Sequence, residues 1–351
     1  MPRKDSYLRS LYRQQSDNWY LPHHIRQTLS FDNVGWLVGR WDWTSQRVSA
    51  AYEAYKLSAE VQRNMETTGM DAMALAAALA NLPNLRSVVI KSDCYHEKNF
   101  TNLPKDISTI QKKILIAPYN THTFRSKDTG RLQLQHLIRA VSITRVQITD
   151  FAILDSENTM TRAVLQLHTT DLYNARIAFQ HIRRFCFKLP QYSKNHHVAI
   201  FSEGQLAKLI QSMPNLENLA LIVPWSSPYV PWSSVCGTAR LVSLSSLDLQ
   251  GFNFHEYEFR NFLARHTDTL RAVYLFCVQL YSGTFKSLFC NMRETLKLNK
   301  LELTGDFHDD GGMFMSYSFH AAVAIERFVT KQSSIYPSNE ILRHQRKSSP
   351  C

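Results

Sequence analysis

Asp306, Asp309 and Asp310 are the residues of this sequence whose type and spacing come nearest to metal chemistry. They lie in the segment "GDFHDDGG" (305–312), where three nearby carboxylates could supply oxygen ligands to a divalent cation. A calcium loop also requires ligands at alternating positions and a glutamate further along the chain, and this segment has neither. The pattern therefore favours a solvated turn over a metal site.

Histidine and cysteine are also poorly spaced for metal binding or catalysis. The pairs His23-His24 and His196-His197 lack partners at zinc-ligand spacing, and adjacent histidines cannot easily face one ion. The six cysteines are at least 13 residues apart, which excludes a CxxC pair. Since no nucleophile elbow, kinase motif or metalloprotease helix is present, we predict no catalytic residue, no metal and no cofactor.

The composition is that of a folded protein with a basic surface. The 351 residues are 44% apolar, and 40 Lys and Arg against 29 Asp and Glu give a net charge of +11. The basic residues are spread along the chain, which favours a generally basic surface over a dedicated nucleic-acid or membrane patch. No apolar run approaches the roughly 20 residues of a membrane helix, and the N-terminus is too polar for a secretory signal. We therefore expect no membrane association and a cytoplasmic or nuclear location.

The elements that position the candidate residues are indicated by a repeated phrase, apolar-x-x-apolar-x-apolar, each copy of which predicts a short strand. Copies begin at residues 85, 143, 182, 216, 244, 270 and 298, as in "LPNLRSVVI" (82–90) and "MPNLENLALIV" (213–223). The last four begin 28, 26 and 28 residues apart, within the range of leucine-rich repeats.

Apolar residues at i, i+3, i+4 and i+7 indicate one face of a helix. Stripes with all or most of this spacing precede six of the phrases. The stripes are Leu75/Ala78/Leu79/Leu82, Leu134/Leu137/Ile138/Val141, Leu172/Ala175/Phe179, Leu206/Leu209/Ile210/Met213, Phe259/Phe262/Leu263 with His266, and Phe285/Leu288/Phe289/Met292. Helix, corner and strand in repetition predict an α/β leucine-rich-repeat-like solenoid, with parallel strands on one face and helices on the other. An open doubly wound sheet has the same alternation, but no predicted strand is followed by a glycine-rich phosphate-binding motif.

Two segments, 67–90 and 244–307, resemble the degenerate leucine-rich-repeat region of F-box proteins of the fungal type. This resemblance extends over roughly residues 50–330 and implies a substrate-recognition subunit of a cullin-based ubiquitin ligase. The segment "LPHHIRQTLSFDNVGWL" (21–37) is similar to the opening of an F-box, but "VGRWDWTSQRV" (38–48) departs from the helices that should follow. We therefore expect weak or no binding to the ligase adaptor.

The predicted organisation has three parts. Residues 1–65 form an N-terminal flank and cap, in which three tryptophans of "VGWLVGRWDW" (34–43) cover the first repeat. Residues 66–330 form the solenoid, and residues 331–351 form a polar, basic tail that we expect to be disordered.

Two groups of residues are candidate binding sites. The side chains between the apolar positions of the phrases should form an exposed strand face. Its predicted members are Arg145, Gln147, Arg184, Lys188, Ser246, Asp248, Tyr274, Phe276, Lys300 and Glu302. The second group, Trp225, Tyr229 and Trp232, lies in "PWSSPYVPWSS" (224–234), where prolines argue against a regular helix. For this aromatic loop, packing against the solenoid is favoured over presenting anchors to a partner.

These features predict a non-enzymatic protein-protein interaction module that is monomeric outside a complex. One interpretation is the substrate-recognition role implied by the resemblance, and another is a scaffold without a ligase. A basic nucleic-acid-binding protein is the alternative from a different class. Because the predicted strand face mixes acidic, basic and aromatic residues, we expect nucleic acid to bind only non-specifically.

Overall fold

The computed structural model describes residues 45–92, 130–155, 165–189, 201, 204–223, 229–310, 312–315 and 319–337. The chain forms two compact units, the first being Met1–Met73 with Asp93–Ser126 and the second Ala74–Ser92 with Lys127–Cys351. The described part of the first unit is helix α1 (Ser45–Thr68) and the start of α2 (Met70–Ala80). None of the described helices is both long enough and apolar enough to cross a membrane. The predicted flank of 1–65 stays a prediction.

The second unit contains a seven-stranded sheet in which every neighbouring pair of strands is parallel. Its strands are β1 (Ser87–Ser92), β2 (Asp150–Asp155), β3 (Arg184–Lys188), β4 (Asn218–Ile222), β5 (Ser246–Gln250), β7 (Ala272–Phe276) and β9 (Lys300–Thr304). They lie side by side in chain order. The prediction of parallel strands, ordered along one sheet, is therefore confirmed.

A helix lies in each described connection between successive strands of this sheet, as a parallel crossover requires. The helices of this unit after α2 are α3 (Arg131–Thr144), α4 (Thr169–Ala178), α5 (Gln205–Gln211), α6 (Trp232–Cys236), α7 (Glu256–Ala264), α8 (Phe285–Thr295) and α9 (Phe319–Val329). Their stripes and the alternate strand residues form one apolar core. Phe151 of β2, for example, stacks on Phe179 after α4, with ring centroids 5.0 Å apart.

Most of the predicted stripes are buried. In four of them every member is buried. One of these is the stripe of Phe259, in which His266 fills the predicted fourth place. The stripe in α2 is only partly correct. Leu79 is buried and Leu75 packs against the core, but Ala78 and Leu82 are exposed, and Ala76 is buried instead. Small alanines along α2 made several faces look equally apolar, so spacing alone did not identify the buried one.

Six of the seven predicted strands begin two residues after the start of their phrase, and the phrase at 143 is wrong. Helix α3 continues to Thr144, and its C-cap residue Arg145 adopts a left-handed conformation with φ 60°. The strand begins only at Asp150. The same pattern also fits Ile148/Phe151/Ile153, and it is these three side chains that are buried.

A second, four-stranded sheet was not predicted. It is built from β6 (Asn253–His255), β8 (Gln279–Ser282), β10 (Phe307–Asp309) and β11 (Gly312–Met315), and only the β10–β11 pair is antiparallel. Strands β6, β8 and β10 directly follow β5, β7 and β9, respectively. The chain turns between them at Gly251, Cys277 and Gly305, and each of these residues has a positive φ. Strands of three or four residues are too short to produce a clear alternation in the sequence.

Two further expectations are corrected. Helix α6 occupies part of the segment in which prolines argued against a helix, because Pro231 stands at the N-cap, where its missing N–H costs no helical hydrogen bond. Residues 331–337 do not fit a disordered tail, because Tyr336 packs on Phe328 with ring centroids 5.0 Å apart. The rest of the tail lies outside the described residues.

Candidate partner-binding face

The candidate site is the side of the seven-stranded sheet that faces away from the core, here called the open face. In β3, β4, β5, β7 and β9 the second and fourth residues are buried and the others are exposed or half-buried. Because the strands are in register, the outward residues form three rows across the sheet. The first row is Ser87, Asp150, Arg184, Asn218, Ser246, Ala272 and Lys300. The middle row is Val89, Ala152, Cys186, Ala220, Asp248, Tyr274 and Glu302. The last row is Lys91, Leu154, Lys188, Ile222, Gln250, Phe276 and Thr304.

Eight of the ten predicted face residues lie in these rows. They are Arg184, Lys188, Ser246, Asp248, Tyr274, Phe276, Lys300 and Glu302. Arg145 and Gln147 do not, because the strand in this repeat begins five residues later than the chosen phrase implies. Asp150 and Ala152 occupy the two positions on the face that had been predicted for Arg145 and Gln147. An acidic residue therefore stands where a basic one was expected.

The basic side chains of the first row are paired with carboxylates. Arg184 forms an ion pair with Asp150 on the neighbouring strand, and the guanidinium holds the pKa of the Asp150 carboxyl below its usual value. At the other end of the sheet, Lys300 lies 3.8 Å from a Glu302 oxygen and 3.5 Å from a Glu326 oxygen. The first row therefore carries much less free positive charge than the sequence suggests, whereas Lys188 of the last row is exposed.

A shallow concavity of about 380 Å³ lies across strands β1 to β7 of the open face. Its floor is formed by small side chains, among them Ala152, Cys186 and Ala220 of the middle row. Asp248 and Tyr274 close it on one side, and the Asp150–Arg184 pair borders it at the first row. Burial raises the pKa of Asp248, and the nearby charge of Glu302 adds to that effect.

The open face has apolar contact area of which the sequence analysis identified only Phe276 and Tyr274. Phe276 is 37% exposed, and Val89 in the middle row is 51% exposed. Leu154 and Ile222 are half-buried. These four residues alternate with buried strand positions, so extending each phrase by one residue would have identified Ile222, and Leu154 once the register was known.

The aromatic loop divides between packing and exposure. Trp232 is only 1% exposed, and the rings of Phe252, Phe254, Phe259 and Phe262 surround its indole at 5.3 to 5.8 Å. Trp232 therefore packs in the core, as the favoured interpretation expected, and the alternative of a partner anchor does not apply to this residue. Trp225 lies outside the described residues.

Tyr229, by contrast, is half-buried at the edge of an aromatic cluster. Its hydroxyl donates to Glu258 Oε1 at 3.0 Å, and its ring lies 4.6 Å from His255 and 5.6 Å from Tyr281. Burial, followed by the hydrogen bond to Glu258, raises the pKa of Tyr229 to about 12.

The acidic segment 305–312 has a structural role. Asp309 Oδ2 accepts a hydrogen bond from Phe285 N at 3.2 Å, and Asp310 Oδ2 accepts one from Gly283 N at 2.7 Å, so both carboxylates hold the corner before helix α8. Within the described residues, no three His, Cys, Asp or Glu side chains are arranged to hold a metal ion. The histidine pairs and the F-box-like segment 21–37 lie outside the described residues.

Comparison with known proteins adds no family to this description. No protein-family model, no curated protein and no solved structure matches the chain.

Proposed function

We propose that this protein is a non-enzymatic protein-binding module whose open face receives the partner. The observation that carries the proposal is a parallel sheet that, among the described residues, has one face in the apolar core and the other face exposed or half-buried. Parallel sheets are almost always covered on both faces, because their strands are otherwise left with apolar residues in water. Here Val89 and Phe276 are exposed on the second face, which is the composition expected of a surface that a partner covers.

We further infer that the second unit is a leucine-rich-repeat-like solenoid. Support comes from the repeated order of helix, corner and strand, and from the in-order sheet. The last four strands of the large sheet start at residues 218, 246, 272 and 300, so the repeat is nearly constant in length over this part of the chain. A unit of this kind contacts mainly its neighbours and presents one long strand face, which suits protein recognition.

The charge distribution favours a protein partner over nucleic acid. A nucleic-acid site needs a continuous basic track, with aromatic side chains for stacking. On the open face, Arg184 and Lys300 are paired with carboxylates, and the acidic Asp248 beside Tyr274 interrupts any basic track that Lys188 could begin. A mixed face with aromatic side chains is more typical of a protein interface.

Substrate recognition for a cullin-based ubiquitin ligase is the more specific role that the resemblance suggests. It requires an adaptor-binding segment, and the candidate for that segment is 21–37. We propose this role as secondary to protein binding itself, since the open face would serve a scaffold equally well.

The test is affinity capture from a lysate of the native cell, with variants that change only the open face. Ile222→Thr and Phe276→Ser remove apolar area from the last row. Val242→Thr and Tyr173→Ser are matched controls, because Val242 and Tyr173 are 61% and 67% exposed and lie off the face. We expect proteins recovered by the wild type and by both controls to be depleted about tenfold by the face variants, equivalent to about 1.4 kcal/mol. Equal recovery by all five proteins would contradict the proposal.

A further inference from the structure

Asp248 lies near the middle of the open face and has no hydrogen-bond or ion-pair partner among the described residues. It belongs to the middle row, between Ala220 of β4 and Tyr274 of β7. It is half-buried and borders the concavity of about 380 Å³. Partial burial disfavours the charged form of this carboxylate, and a ligand that donates hydrogen bonds to it would stabilise that form.

The two cations of the first row are engaged elsewhere. Arg184 is paired with Asp150 on the first row, and Lys300 is shared between Glu302 and Glu326. Glu302, two strands from Asp248 in the same row, adds negative potential and raises the pKa of Asp248 further. The charge that acts most directly on Asp248 is therefore negative, although the protein has a net charge of +11 and Lys188 is exposed in the last row. A positive group is the complementary occupant.

The surroundings of Asp248 favour a planar cation over a compact one. The Tyr274 ring stands on the adjacent strand, where a guanidinium can stack on its face. Ala220 on the other side leaves room for the methylene stem of a long side chain. Ile222 and Phe276, on the same strands in the last row, provide apolar contact for the residues that flank it. Arginine makes use of all these features, because its guanidinium can bond a carboxylate in two places and stack on an aromatic ring.

We propose that Asp248, with Tyr274 beside it, is the anchor for an arginine side chain of a protein partner that lies across the open face. The inference rests on the proposed function and names the chemistry that the partner must present. In the complex, the carboxylate of Asp248 accepts the guanidinium N–H donors, and apolar side chains on either side of the arginine contact Ile222 and Phe276.

The probes for the test are three fluorescently labelled peptide pools. Each peptide has about ten residues, enough when extended to cross seven strands spaced roughly 4.8 Å apart. All positions are randomised over small and apolar residues except the centre, which is arginine, its uncharged analogue citrulline, or glutamate. Binding to the full chain is measured by fluorescence anisotropy for the wild type and for Asp248→Asn, Asp268→Asn and Phe276→Ser.

The expected result is that the arginine pool binds the wild type about tenfold more tightly than the citrulline pool, and that the glutamate pool binds most weakly. Asp248→Asn should bring the arginine and citrulline pools within about twofold of each other. Asp268→Asn is the matched control, since Asp268 pairs with Arg240 away from the open face, and it should keep the full preference. Asparagine is close in size to aspartate, so the fold should tolerate both changes.

Two other results are informative in different ways. If all pools bind equally and Phe276→Ser weakens them, the arginine anchor is wrong while the open face still binds protein. If no pool binds the wild type more tightly than it binds Phe276→Ser, both the anchor and the proposed function are contradicted.

Discussion

His266 is the residue whose protonation state the fold fixes most clearly. Its ring is fully buried, Nδ1 donates to Phe262 O at 2.8 Å, and Nε2 accepts from Leu241 N at 3.0 Å. An acceptor Nε2 requires the neutral ring, because a second proton would point at the Leu241 N–H. Burial lowers the pKa of His266, and the nearby Arg265 and Arg240 lower it further, against the opposing effect of the Phe262 carbonyl.

The first prediction concerns stability in acid. Since the folded pKa of His266 lies below the unfolded one, the unfolded chain binds the proton more readily, and stability falls as the pH drops below about 6.5. This residue alone should contribute a slope of at most about 1.4 kcal/mol per pH unit in that window. Urea unfolding between about pH 8 and pH 5 measures the slope.

The control is His266→Gln, which can keep one donor and one acceptor but does not titrate. This variant should be somewhat less stable near neutral pH and should lose that part of the acid slope. An unchanged slope in the variant would show that other groups cause the pH dependence.

At the scale of elements, the corners after β5, β7 and β9 decide how the chain leaves the large sheet for the small one. Gly251, Cys277 and Gly305 have φ values of 77°, 50° and 83°, and the Cys277 N–H donates to Thr304 O at 2.9 Å. A Cβ on Gly305 would collide with Cys277 Sγ, so glycine is required there for both its conformation and its size.

We expect Gly305→Ala to lower the free energy of unfolding by about 2–4 kcal/mol, through the left-handed conformation and the steric overlap together. Gly204→Ala separates the two effects, because Gly204 has φ 65° and nothing within 4 Å of the added Cβ, so it should cost only about 1–2 kcal/mol. Chemical denaturation of both variants measures the difference.

The double variant Cys277→Gly with Gly305→Ala tests the steric part directly. Removing Sγ should reduce the cost of the alanine to that of Gly204→Ala, which a double-mutant cycle reports as a coupling energy. A coupling near zero would mean that Cys277 already moves aside.

At the scale of the whole molecule, the net charge of +11 predicts attraction to nucleic acid without selectivity. We expect single- and double-stranded oligonucleotides to bind at roughly 10⁻⁴ to 10⁻⁶ M near physiological salt, and more weakly as salt rises. Lys188→Ala on the open face and Lys297→Ala off it should weaken this binding to a similar extent, because both lysines are exposed. Sequence-selective binding tighter than about 10⁻⁸ M, lost only in the Lys188 variant, would overturn the choice of a protein partner.

The sequence by itself determined the type and order of the elements in the large sheet. Helical stripes such as Phe285/Leu288/Phe289/Met292 and phrases such as Leu216/Leu219/Leu221 are periodic, and each is buried as its period requires. Such patterns are readable because burial of one face depends on spacing within a short segment. Eight of the ten face residues followed from the same spacing.

Tertiary structure decided the register where two phrases overlapped, and with it the chemistry of the open face. Both Ile143/Val146/Ile148 and Ile148/Phe151/Ile153 fit the pattern, and only packing of Phe151 against Phe179 and Phe185 selects the second. The pairing of Arg184 with Asp150 and the absence of a described partner for Asp248 depend on which residues of different strands become neighbours. Those neighbours are far apart along the chain, so local spacing contains no information about them.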